Sequence, residues 1–241
     1  MNHSEKRNTS QKIVDYLLDQ IQSGVLRKGS RLPTEHDLAE LLGVSRIPLR
    51  EAICALRTVG LLEARQGGGT YVTTNCDPAI LGRMLYDYAL LENVDLHQIV
   101  DVRILLEPEA ARQAALQGTQ LQKEAIMKLS DEYSQVVENY LADPENHSRM
   151  ASLDREFHQA IAKASHNEFL WMLLVVSGTS FNELNSKSSR SLDAWGARTR
   201  KLFSEQHRDI AQAILAGDAS QARKIMEKHL RLIKGSLTTH P

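Results

Sequence analysis

Three consecutive glycines, Gly67–Gly69, constrain this chain more than any other feature. Such a run is unfit for a helix interior and supplies the positive φ angles that tight strand connections need. It separates two short stretches, Leu61–Arg65 and Thr70–Thr73, which read as strands joined through Gln66. Everything before them has helical period. Ser10 to Ile21 carries apolar side chains at Ile13, Leu17, Leu18 and Ile21, and Gly24 ends it. Arg31-Leu32-Pro33 is an extended lead-in, and Thr34 suits the N-cap of a short second helix with Leu38, Leu41 and Leu42, stopped by Gly43. A third helix starts at Ser45 as N-cap, takes Pro48 in its first turn, places Ile53, Leu56 and Val59 on its buried side, and stops at Gly60. The order is helix, helix–turn–helix, then a two-stranded wing.

Asn75-Cys76-Asp77-Pro78 reads as a linker. Beyond it the periodicity predicts seven helices, near residues 79–91, 95–117, 119–141, 145–165, 167–189, 195–216 and 218–237, with boundaries at Gly118, Pro144, Asn167, Gly196 and Gly217. Short breaks favour antiparallel packing. The expected fold is mainly α: a winged helix–turn–helix in residues 1–75, followed by an all-α antiparallel bundle in residues 76–241.

Whole-chain charge is misleading here. The net value is -1, which argues against a uniformly basic nucleic-acid binder. Residues 1–75 nevertheless hold ten Lys+Arg and eight Asp+Glu, net +2, and the remainder is net -3. Aromatic residues at 5% disfavour base-stacking platforms. Cys54 and Cys76 are too few for a disulfide scaffold or a four-thiolate metal site. The polar N-terminus lacks a signal-peptide core, and the longest apolar stretch, Phe169–Val176, is too short to span a bilayer. A cytoplasmic protein without a membrane partner is expected.

A winged helix–turn–helix presents the start of its second helix to the major groove. Arg46 and Arg50 lie one turn apart there, and Ser45 can donate to a phosphate. Taken alone, two arginines at i and i+4 usually form a solvated face or pair with Glu51 or Glu40. Taken with the ordered helices and the glycine wing, they point to DNA. Ile47 either meets a thymine methyl or is simply exposed. Gly67 and Gly68, flanked by Arg65 and Thr70, let backbone approach a groove or phosphates without a Cβ in the way.

The segments Arg31-Leu32-Pro33-Thr34-Glu35, Leu38-Ala39, Gly43-Val44-Ser45-Arg46, Leu49-Arg50-Glu51-Ala52 and Leu56-x-x-x-Gly60-Leu61 resemble the DNA-binding domain of GntR-family bacterial transcription regulators. The resemblance covers residues 11–73. It implies that Arg46 and Arg50 contact operator DNA and that the Gly67–Gly69 tip enters the minor groove. Arg31, His36, Ser45 and Thr70 complete the expected DNA-facing set. His36 stands where many members carry Arg, and a neutral imidazole makes a weaker phosphate contact.

In the second part, Asp154-x-x-x-His158 places a carboxylate and an imidazole on one helix face, beside the apolar stripe Leu153, Phe157 and Ile161. His229 sits among Ile225, Met226, Leu232 and Ile233, and His207 near Ile210 and Ala211. A lone histidine on an apolar face is more often a hydrogen-bonded core residue than a ligand. Three imidazoles and one carboxylate together suit a divalent transition metal, Zn, Ni or Mn. Residues 79–237 also resemble the FCD-type effector domain of the FadR subgroup, through Val102-Arg103-x-x-Leu106-Glu107, Asp154-x-x-Phe157-His158, Ala164-Ser165-x-Asn167, His207-x-x-Ile210 and Ile214-x-x-Gly217-Asp218. Metal-containing members use an Asp-x-x-x-His pair plus two later histidines, which here implies Asp154, His158, His207 and His229 as ligands. The same resemblance implies small organic or sugar acids as effectors.

Arg103 is either an Arg103–Glu107 or interhelical ion pair, or a clamp for an effector carboxylate. Ser177, Ser180 and Asn182 interrupt an apolar helix and are expected to line the same cavity. The leading expectation is a homodimeric regulator that binds a near-palindromic operator and is controlled by a small carboxylate at the metal. The rivals are a metal-dependent helical-bundle enzyme, against which stands the lack of Glu-x-x-His and His-Glu-x-x-His motifs, and a repressor with a purely structural metal.

Overall fold

A computed structural model describes residues 3–139, 145–187 and 196–238. The chain divides into two compact units, Met1–Ile80 and Leu81–Pro241.

The first unit contains α1 (His3–Gln22), α2 (Glu35–Leu42), α3 (Arg46–Thr58), β1 (Leu62–Arg65) and β2 (Gly69–Val72). Helix α1 begins at His3 rather than Ser10, so the polar stretch before the apolar period is helical too. Thr34 caps α2 as expected: its Oγ1 accepts the Asp37 N–H at 3.2 Å. Gly43 closes the helix in the left-handed region at φ 64, where a side chain is disfavoured. Leu41 is one of the three leucines that mark this helix. It is 67% exposed, and this two-turn helix buries only Leu38 and Ala39. The strands pair antiparallel in the register Leu62↔Val72 to Arg65↔Gly69. The segment before α2 joins them, since Leu32 N–H donates to Thr70 O and Val72 N–H to Ser30 O, each at 2.9 Å. Ile13, Leu17, Leu38, Leu49, Leu56 and Val72 belong to one buried cluster beneath these elements.

The second unit holds α4 (Ala79–Leu91, whose first two residues fall in the first unit), α5 (Leu96–Gln117), α6 (Gln120–Glu138), α7 (Glu145–Ala164), α8 (Glu168–Lys187), α9 (Ala197–Leu215) and α10 (Ala219–Thr238). Asp95 and Thr119 start α5 and α6 with reciprocal capping boxes to Gln98 and Gln122. The expected helix ends at 141 and 189, the start at 195 and the break at Pro144 lie outside the described residues. Chain neighbours pack together at α6–α7 and α9–α10, but α5 lies most extensively against α10, and also against α8 and α7. The reason is the small-residue face Ala110, Ala111, Ala114 and Ala115, which shares one buried cluster with Ala222, Met226 and Leu230 of α10. Helix α5 is thereby placed centrally, with Arg103 and Glu107 buried on it. Among the described residues, no helix is long and apolar enough to cross a membrane.

Candidate metal centre and nucleic-acid interface

The second unit brings four expected residues from three helices to one point. Asp154 and His158 come from α7, His207 from α9 and His229 from α10, with one ligand atom of each lying within 4.8 Å of the others. The three imidazoles are buried, while the Asp154 side chain keeps 26% exposure. Asp154 Oδ1 stands 3.4 Å from His207 Nε2 and 3.8 Å from His158 Nε2.

The donor and acceptor roles around the rings follow from their neighbours. Burial would raise the Glu107 carboxyl, but the Arg103 guanidinium and His158 outweigh it and hold the group far below the usual carboxylate range. Glu107 is therefore an anion. It accepts from Arg103 Nε on one oxygen and from His158 Nδ1 on the other, both at 2.5 Å. His229 Nδ1 meets Gln206 Oε1 at 3.0 Å, which an amide oxygen can satisfy only as acceptor. With Nδ1 engaged in this way, the Nε2 atoms of His158 and His229 belong to the cluster, and both are buried without a hydrogen-bond partner. His207 has neither nitrogen hydrogen-bonded. Its ring is held by stacking instead: Phe157 lies 4.4 Å away, centroid to centroid, and Tyr133 approaches edge-on at 4.6 Å. Burial, first, keeps His207 and His229 well below their ordinary imidazole value, with neighbouring histidines adding to the effect. Burial, and then Asp154, raises the Tyr133 phenol, which stays protonated. Three buried imidazoles, each with a ring nitrogen that has no hydrogen-bond partner, beside one carboxylate are the donor set that a divalent transition metal requires, so these residues fit such an ion.

A small cavity of about 30 Å³ adjoins the cluster, lined by Arg103, Glu107, Asp154, Arg155, His158, Gln159, Leu174, Gly178 and Asn182. Asn182 is where the pattern placed it. Ser180 is not: its hydroxyl donates to Gly82 O at 2.8 Å and Val176 O at 3.0 Å, so it fastens α8 to α4. Ser177 donates to Leu174 O and, like Ser180, lines a separate apolar groove. For Arg103 the ion pair with Glu107 is realised, with the Phe181 ring 5.0 Å from its guanidinium carbon. Gln206 and the Glu107–His158 contact were not foreseen. Their partners are 23 and 51 residues away in the chain, and no local spacing marks them.

In the first unit, α3 presents Arg46, Ile47 and Arg50 to solvent. Arg50 donates through Nε to Glu35 Oε2 at 2.6 Å, not to Glu51 or Glu40. Glu51 is occupied instead by the Ser10 hydroxyl, also at 2.6 Å. Arg46 has no ion pair among the described residues. Ser45 takes the N-cap position without a side-chain cap bond, leaving its hydroxyl unspent on the helix. His36 is exposed on α2. At the wing, Gly67 and Gly69 have φ of +70 and +99, and Gly68 N–H donates to Arg65 O. A Cβ on Gly69 would stand 3.1 Å from Arg31 Nε, so this glycine also makes room for the Arg31 guanidinium. Arg65 covers the Tyr71 ring at 4.2 Å. Thr70 is half-buried on β2.

Comparison with known proteins gives a consistent picture. The bacterial regulatory protein gntR family matches residues 9–72, and the FCD domain family matches residues 98–232. The Glc operon transcriptional activator of Escherichia coli strain K12 is 30% identical over 97% of this chain and 90% of its own length. The HTH-type transcriptional regulator LutR of Bacillus subtilis strain 168 is 32% identical over 90% of this chain and 96% of its own. Among solved structures, Streptococcus agalactiae GntR superposes with a TM-score of 0.69 at 30% identity, covering 94% of this chain and 99% of that one.

Proposed function

Because the chain belongs to the GntR family of bacterial regulatory proteins and carries an FCD domain, we propose that it is a metal-containing, effector-controlled regulator of the FadR subgroup. It is a DNA-binding transcription regulator, as its relatives are, and not an enzyme. In this reading residues 1–75 read DNA and residues 76–241 sense a ligand and dimerise. Two copies place two α3 helices on the half-sites of a near-palindromic operator in the cytoplasm. Arg46 and Arg50 reach base edges, where a bidentate arginine–guanine contact gives about 1–3 kcal/mol of discrimination. Ser45, His36, Arg31, Gly67, Gly68 and Thr70 contact or approach the backbone and grooves.

Asp154, His158, His207 and His229 hold a divalent transition metal, Zn, Ni or Mn. When bound, the ion supplies a Lewis-acidic point for an effector carboxylate. Glu107 and Gln206 fix the rings of His158 and His229. Arg103 and Asn182 line the cavity beside the cluster, which at about 30 Å³ must widen to admit a small organic or sugar acid. The observation that carries this reading is the convergence of buried, unpartnered imidazole nitrogens on one carboxylate beside a cavity. The cavity and the partial exposure of Asp154 favour a ligand-accessible ion over a purely structural one.

Metal analysis of untagged protein purified without chelators tests the site. We expect about one ion per chain, lost in His158→Ala while the helical circular-dichroism signal remains. Protein that binds no divalent transition metal in stoichiometric amount refutes the metal. Gel retardation of the chain's own promoter region tests the DNA reading, which is refuted if Arg46→Ala with Arg50→Ala leaves retardation unchanged.

A further inference from the structure

Helix α3 sends its apolar side chains in two directions. Leu49, Ala52, Ile53 and Leu56 are at most 6% exposed and join the buried cluster of the first unit. Ile47 is 57% exposed and lies outside that cluster. Among the described residues of this unit, the other large apolar side chains as open are Val25 and Leu41, and neither is on α3. The helix itself does not call for an isoleucine at this place. Branching at Cβ lowers helix propensity slightly, and acidic residues are what stabilise a first turn. Helix α2 has two of them, Glu35 and Asp37, whereas α3 has none and begins Arg46-Ile47-Pro48. The start of α3 therefore forgoes local stability for a surface that is cationic and apolar.

The neighbours of Ile47 leave it open. On the helix surface it adjoins Arg50 and Glu51, three and four residues on. Arg50 is drawn to Glu35 of α2, and Glu51 accepts from Ser10 of α1, so both are engaged elsewhere. Branching at Cβ also leaves isoleucine with one strongly preferred χ1 rotamer in a helix. The methyl groups of Ile47 are thus held in a fixed direction, and little rotamer freedom remains to be lost when a partner covers them.

The inference rests on the reading of α3 as the helix that enters the major groove, where first-turn residues reach base edges. An isoleucine side chain can neither donate nor accept a hydrogen bond. The C5-methyl of thymine is the apolar group that a base pair presents in that groove. Set against an amino group or a ring nitrogen instead, Ile47 would strip water from a polar edge and return no hydrogen bond. We propose that Ile47 is a specificity-determining residue that selects a thymine in each half-site through its C5-methyl. Cβ atoms at i and i+3 on a helix are about 5–6 Å apart, and base pairs stack about 3.4 Å apart. The thymine therefore lies one or two base pairs from the base that Arg50 reads. The two side chains discriminate by opposite means: Arg50 favours an edge that accepts hydrogen bonds, and Ile47 favours a methyl and disfavours polar edges.

Uracil interference on the chain's own promoter region tests the assignment. Replacing a fraction of the thymines by uracil removes the C5-methyl and leaves base pairing unchanged, and cleavage at uracil in the bound and free fractions locates each methyl that matters. We expect one thymine in each half-site at which uracil weakens wild-type binding about fourfold, the effect of burying about one methyl group. At that thymine Ile47→Ala should bind uracil and thymine equally. Alanine is the better helix former and replaces an exposed side chain, so α3 persists, which circular dichroism checks. The same uracil interference in wild type and Ile47→Ala, or no thymine whose methyl matters, overturns the role of Ile47. Interference by guanine N7 methylation separates that failure from failure of the reading beneath it. Guanine contacts that disappear in Arg46→Ala or Arg50→Ala keep α3 in the major groove even where Ile47 proves silent. A wild type that retards no promoter fragment and shows no guanine contact overturns both.

Discussion

Acid should unfold the second unit with a steepness set by His207 and His229. Burial holds both imidazoles well below the ordinary value of 6.5 in the folded chain. Unfolded, both titrate near that value, so below it the unfolded state binds more protons than the folded state. Their contribution to stability is therefore fully present above about pH 6.5 and is lost as pH falls toward the depressed folded values. Each proton of difference is worth about 1.4 kcal/mol per pH unit, so the two together give a slope of about 2.7 kcal/mol per unit. Against a total of about 5–15 kcal/mol for an ordinary domain, two pH units remove a large share. Glu107 acts in a lower window. Its depressed folded value contributes stability above the ordinary 4.5, which is lost as pH falls further. Both tryptophans of the chain, Trp171 and Trp195, belong to the second unit by position, so tryptophan fluorescence during urea unfolding reports that unit alone. Chelator-treated protein measured between about pH 6.5 and 5 should show the two-proton slope, and His229→Leu should roughly halve it. A wild-type slope below about 1.4 kcal/mol per pH unit would refute the burial argument.

Other consequences are as direct. Glu107→Gln removes the anion that orients His158 and should weaken metal affinity about 10- to 100-fold by isothermal titration, with Gln206→Ala acting in the same direction through His229. Phe157→Ala deletes a fully buried ring that stacks on His207, and should cost about 3–5 kcal/mol in urea unfolding. Arg50→Ala should weaken operator binding by about 1–3 kcal/mol and relax preference at one base pair, as read by fluorescence anisotropy on a set of single-substitution operators. Equal losses on every operator would show that Arg50 contacts phosphate only.

Local rules carried most of the fold. Thr34, Gly43, Gly60 and the triple glycine each enforce a backbone state within a few residues, so helix ends and the wing follow from neighbours alone. The Asp/His cluster was legible for a related reason: Asp154 and His158 are one turn apart, and His207 and His229 stand on strongly periodic helices. What escaped depends on distance in the chain. Ser180 satisfies its hydroxyl on Gly82, 98 residues away, and nothing around it in the sequence distinguishes a helix-to-helix clasp from a cavity wall. Arg50 has Glu51 beside it, yet pairs with Glu35 on α2, because neighbouring positions on a helix face different ways; Glu51 instead accepts from Ser10 of α1. Leu41 shares the period that marks α2 yet stays exposed, since a two-turn helix is too short to bury every apolar position.

The Glu35–Arg50 pair also bears on how fast an operator is found. Glu35 takes only the Nε of Arg50, which leaves the terminal nitrogens of the guanidinium fork for a guanine edge. The same carboxylate offsets one positive charge on the face of α3 proposed to meet DNA. Non-specific affinity comes from phosphate neutralisation, and each contact contributes about 0.9 to its salt exponent. With Arg50 in the proposed base-reading role, an anion beside it means the regulator is held less firmly at every wrong sequence. It spends less time on each, and surveys a chromosome sooner.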